Sequence, residues 1–174
     1  MVMQMLAAGG MPVVGEHPAY EDMDCNPITL PMIPRLDGKA VKLLNPHLDP
    51  IPVGPKYRAV WLDRNLMQQA RSTVKFLRGV AGIPVKPRDV KRIARAGEKD
   101  RPRALAALRQ ALHGEPLVLR FEDILADPLE AAQQLAMICH RAMDVQAMAR
   151  RVLPRSPQCR PDMLIESMLM EARP

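Results

Sequence analysis

One stretch constrains this chain more than any other: Tyr57 to Phe76, YRAVWLDRNLMQQARSTVKF. It opens on Tyr57, Ala59, Val60, Trp61 and Leu62, an apolar run with β-branched and aromatic members, and breaks at Asp63-Arg64-Asn65. Length and content together predict a buried strand. Asn65 is a good acceptor for the free N–H groups of a helix start. Leu66, Ala70, Val74 and Leu77 then fall on one helical face. The stretch reads as strand, polar turn and helix. Arg64 lies at the carboxyl end of the strand, and Ser72 lies eight residues on, inside the helix. In open α/β sheets ligands bind at that end of the strands, and helix N-termini favour anions.

The rest of the chain extends the alternation. Met1 to Ala8 favours helix, and Gly9-Gly10 ends it. Met11 to Val14 and Lys39 to Leu44 read as short strands, separated by an acidic loop and a proline-spaced irregular segment. Four prolines between positions 46 and 55 impose an extended connection into the organising strand. After Gly79 and Gly82, the basic residues Arg88, Lys91, Arg92, Arg95 and Lys99 form one helical stripe. Asp100 and Pro102 read as a fresh helix start, with Leu105, Leu108 and Leu112 on its buried face and Gly114 at its end. Pro116 to Phe121 is the next strand. Asp127-Pro128-Leu129-Glu130 opens a helix running to about Met143, Asp144 caps a short one, and residues 154–161 read as a proline- and arginine-rich loop. Strand and helix in alternation predict an α/β fold, a three-layer parallel sheet flanked by helices, as a single domain over residues 1–174.

Charge sharpens the picture. Residues 86–103 hold eight basic side chains against three acids, a net of +5 out of +6 for the whole chain. The first 34 residues carry four acids and neither Lys nor Arg. A local basic face beside an anion site accounts for this better than a generally basic protein. Without interleaved aromatic residues the stripe is a weak nucleic-acid signal, and it reads as a mobile basic flap. Cys25, Cys139 and Cys159 are odd in number and far apart, which suits free thiols in a reducing, cytoplasmic compartment. Apolar runs fall short of the roughly 18–20 residues that span a bilayer, so a membrane partner is not expected.

Arg64 and Ser72, placed across a strand–turn–helix, resemble the 3′-phosphate-binding segment of the sulfotransferase family. Val118-Leu119-Arg120-Phe121-Glu122-Asp123-Ile124-Leu125-Ala126-Asp127-Pro128 is similar to that family's late strand-to-helix segment. MQMLAAGGMPVVGE resembles the stretch after the phosphate-binding loop of its bacterial members. Together these cover about residues 1–130. The resemblance implies transfer of a sulfonate group from 3′-phosphoadenosine 5′-phosphosulfate (PAPS) to a hydroxyl or amine of a small molecule or glycan. Arg64 and Ser72 would hold the nucleotide, a guanidinium fork and a hydroxyl converging on one phosphate. Two candidates stand for the base. Glu16 follows the first loop, as an acidic base does in some bacterial members. His47 follows the KAVKLL strand, three residues beyond the family's histidine.

The family's first strand and the loop that holds the 5′-phosphosulfate would precede Met1, so the chain is expected to be N-terminally truncated relative to the family and to transfer little sulfonate. A G-x-x-x-x-G-K-[ST] motif is also missing from the sequence, which removes support for an ATP- or GTP-using P-loop enzyme. Two alternatives stay open beside the transferase: a non-catalytic nucleotide- or anion-binding protein, and a nucleic-acid-binding module that uses the basic stripe.

Overall fold

The structure, a computed structural model, describes residues 1–49, 51–79, 81–112 and 114–159, with the side chain of Met23 left aside. The described chain is helix-rich. It opens with α1 (Val2–Ala8), and a 3₁₀ turn at Leu30–Met32 leads into the short α2 (Ile33–Leu36). Strand β1 (Val60–Asp63) leads into α3 (Leu66–Gly79), and α4 (Asp89–Leu112) returns alongside α3. Strand β2 (Leu117–Arg120) passes directly into α5 (Phe121–Ala126), followed by α6 (Pro128–Cys139) and α7 (Val145–Arg150).

Strands β1 and β2 pair in parallel, from Val60 opposite Leu117 to Asp63 opposite Arg120. This two-stranded sheet replaces the expected three-layer parallel sheet. Two observations overturn that expectation. Met11–Val14 and Lys39–Leu44 meet only through an isolated parallel bridge between Val13 and Ala40. There Val14 N donates to Ala40 O at 2.9 Å and Ala40 N to Pro12 O at 2.8 Å. Pro12 has no N–H with which to extend the ladder. The β1–β2 sheet is also open to solvent, with Leu62 52% and Val118 49% exposed, whereas a three-layer fold covers both faces of its sheet.

The helix starts follow local chemistry. Asn65 Oδ1 accepts from Met67 N at 3.1 Å and Gln68 N at 3.2 Å, which begins α3. Asp127 Oδ1 accepts from Glu130 N at 3.0 Å at the head of α6, and Asp144 Oδ1 from Ala147 N at 2.8 Å at the head of α7. Helix α6 stops at Cys139, short of Met143, because His140 turns left-handed at φ 49°. The basic segment is likewise not a flap with a break at Asp100. From Asp89 onward it is part of one continuous helix with Pro102 inside it. Gly97 brings α4 close to α3: a Cβ there would lie 3.1 Å from Leu66 Cδ2. Of the expected loop at 154–161, residues 160 and 161 lie outside the described part.

The main core joins α1, β2, α5, α6 and α7. Met5, Leu119, Ile124, Ala132, Leu135 and Met148 are its buried centre, and Val60 and Leu117 pack against it. Gly9 allows α1 to approach α7, since a Cβ there would lie 2.6 Å from Met148 Cγ and Sδ. The α3–α4 hairpin lies outside this cluster, and its buried residues are mainly alanines: Ala70 with Val74 on α3, and Ala94, Ala104 and Ala111 with Leu108 on α4.

Candidate functional site

Parallel pairing sets two strand-to-helix junctions side by side. Asp63 ends β1 opposite Arg120 at the end of β2, so Arg64-Asn65 and Phe121-Glu122 follow as neighbours. The Arg64 guanidinium carbon lies over the Phe121 ring, 4.2 Å from its centroid. Arg64 Nη2 donates to Pro157 O at 3.3 Å, and Asn65 N donates to Glu122 Oε1 at 3.4 Å. A carboxylate oxygen therefore already sits against a free backbone donor at the head of α3, where an anion is stabilised.

Helix α4 closes the third side. Arg101 Nη2 donates to Asp63 Oδ2 at 2.5 Å, and Glu98 lies one turn before it. The result is a cleft of about 390 Å³ at the carboxyl ends of both strands, lined by Asp63, Arg64, Asn65, Arg101, Arg120 and Glu122 among others. Its arginines Arg64, Arg101 and Arg120 are matched by Asp63, Glu98 and Glu122, so the cleft has no formal net charge. Arg101 is held by Asp63, and Arg64 and Arg120 bring two further guanidinium groups to the cleft.

Residues 152–159 run beside this junction. The Arg155 guanidinium carbon stands 5.5 Å from the same Phe121 ring, and Cys159 N donates to Gln68 Oε1 at 2.8 Å. Gln68 is in the first turn of α3, so this segment covers the helix face that continues toward Ser72.

Of the site residues expected from sequence, Arg64 reaches the cleft. Ser72 is half-buried and does not line it; six residues beyond Leu66, it lies about 9 Å further along α3. Glu16 is exposed on the loop after Val14, where its carbonyl accepts from Tyr20 N at 2.7 Å. His47 Nε2 lies 3.7 Å from Asp100 Oδ1 on α4, with its side chain 9% exposed. Its Nδ1, like Tyr57 OH and Trp61 Nε1, is buried without a hydrogen-bond partner among the described residues. Neither Glu16 nor His47 lines the cleft.

The sequence alone does not single out Arg120, Arg101 or Arg155 as site residues. Arg120 was the most accessible of the three, because it ends the strand that pairs with β1. The three cysteines form no disulfide with one another, and burial pushes the Cys25 and Cys139 thiols above the ordinary range. Set against family models, curated proteins and solved structures, the chain matches none.

Proposed function

We propose that this is a sulfotransferase-like protein that takes PAPS as cosubstrate, with the nucleotide's 3′-phosphate held at the β1–α3 junction. One observation carries the reading: Asn65 N already donates to a carboxylate oxygen, beside the Arg64 guanidinium. A phosphate oxygen makes the same contact with more charge, and a guanidinium suits it bidentately. Glu122 then acts as the resident anion that the nucleotide displaces, and Arg120 adds charge from the neighbouring strand. Ser72 contributes if residues 154–159 shift away from the first turns of α3. In the transfer itself, a base takes the acceptor proton, the acceptor oxygen or nitrogen attacks sulfur in line, and basic groups stabilise charge on the departing phosphate. The odd number and wide spacing of the cysteines support a reducing, cytoplasmic setting for this work.

A second reading is favoured by a specific observation. Both candidate bases, Glu16 and His47, lie outside the cleft, which suits a protein that binds the nucleotide without transferring sulfonate. An assay for sulfonate transfer from PAPS, run on the chain alone, separates the two. Retention on immobilised adenosine 3′,5′-bisphosphate separates both from a nucleic-acid-binding module.

The site is tested by calorimetry with adenosine 3′,5′-bisphosphate. Charge-assisted hydrogen bonds contribute about 1.5–3 kcal/mol each, so Arg64→Ala is expected to lower affinity about tenfold or more. Equal affinities for the two proteins would rule out Arg64 as the phosphate ligand.

A further inference from the structure

Basic residues are concentrated toward the connecting end of the α3–α4 hairpin. Positions 71–92 hold seven Lys and Arg against Asp89 alone, a net of +6, equal to that of the whole chain. Arg71, Arg78, Lys86, Arg88, Lys91 and Arg92 are all exposed. Asp89 is already engaged: its Oδ2 accepts from Lys86 N at 2.8 Å, and its Oδ1 lies 3.3 Å from Arg92 Nη2.

Among these cations stand two large apolar side chains, Phe76 at 54% and Ile83 at 48% exposure. The backbone holds them at the same end of the hairpin. Ala81 N donates to Phe76 O at 3.2 Å and Ile83 N to Leu77 O at 2.8 Å, so the connection folds back onto the last turn of α3. Neither Phe76 nor Ile83 belongs to the main core cluster.

Apolar tips ringed by Lys and Arg suit one kind of partner in particular. At an anionic bilayer surface the apolar groups enter the boundary between headgroups and acyl chains, while the cations meet the lipid headgroups. Either signal alone gives marginal binding, and the two together give stable association. Among the described residues no helix is long and apolar enough to cross a membrane, so the contact lies on the surface. Nucleic acid fits less well, because Ile83 offers no face for stacking and Phe76 is the single aromatic side chain in the patch. We infer that the α3–α4 tip docks the protein on anionic lipid, with Phe76 and Ile83 inserted and Arg78, Lys86 and Arg88 on the headgroups. This inference does not depend on the nucleotide reading.

Co-sedimentation of the whole chain with lipid vesicles tests it, using phosphatidylcholine alone and phosphatidylcholine mixed with phosphatidylserine. Binding is expected to the mixed vesicles only, and to weaken as salt rises from about 0.1 M toward 1 M. The triple variant Arg78→Glu/Lys86→Glu/Arg88→Glu is expected to lose about a hundredfold or more. The double variant Phe76→Ser/Ile83→Ser is expected to lose about tenfold. All five positions are exposed, and an unchanged circular dichroism spectrum confirms that each variant is folded. Equal binding to both kinds of vesicle, or wild-type binding by either variant, would overturn the proposal. So would tighter binding to single- or double-stranded DNA than to the mixed vesicles at the same salt.

Discussion

Asn65 does two things at once: its side chain closes the first turn of α3, and its backbone N–H faces the anion position held by Glu122. The cap was legible in the sequence because it needs only an Asn beside an apolar helical repeat. Removing it by Asn65→Ala is expected to cost about 1 kcal/mol of stability in urea unfolding, the usual effect of losing an N-cap. An unchanged midpoint would mean that α3 starts elsewhere. The partners of Arg64 were less legible. Phe121 and Pro157 are far from it in sequence, and only the parallel register and the path of residues 152–159 bring them near. The surroundings of His47 are set by distant residues in the same way. The family resemblance marks it as a candidate base, and the loop brings it to 3.7 Å from Asp100 on α4, a contact that sequence spacing does not disclose.

At the scale of elements, α4 shows where local signals mislead. Asp100 and Pro102 resemble the first residues of a helix, yet both lie inside one of 24 residues. Tertiary contacts hold the helix through them, with Arg101 fixed to Asp63 on β1 and Gly97 set against Leu66 on α3. An internal proline lacks the N–H for its helical bond and crowds the preceding turn, at a cost of up to about 3 kcal/mol. Pro102→Ala is therefore expected to raise the melting temperature. A neutral or lowering effect would indicate a helix boundary at Asp100, since proline is well tolerated at a first helical position. The capped starts of α6 and α7 were readable beforehand for the same reason that α4 was not: Asp127 and Asp144 act within three residues, without help from distant contacts.

At the scale of the whole molecule, periodicity identified apolar segments but not whether they have neighbours. KAVKLL has the composition of a strand, yet only Ala40 within it forms a bridge, and Leu44 ends it exposed. Burial is correspondingly uneven. Met5, Ile124, Leu135 and Met148 bury large side chains in the main core, while the α3–α4 hairpin buries mainly alanines and less apolar area. Amide hydrogen exchange is expected to be slowest in α6 and β2 and distinctly faster in α3 and α4; equal protection would contradict that division. The cleft lies where the α3–α4 hairpin meets the main core, with Arg64 and Arg101 contributed by one side and Arg120 and Glu122 by the other. Its assignment as a phosphate site is tested most directly by nuclear magnetic resonance. The ¹⁵N-labelled chain is titrated with adenosine 3′,5′-bisphosphate, and the Asn65 amide is followed. The account predicts a saturable shift at Asn65 and its neighbours in α3 that Arg64→Ala abolishes. Saturable shifts confined to residues away from the β1–α3 junction, or no shift at all, would contradict it.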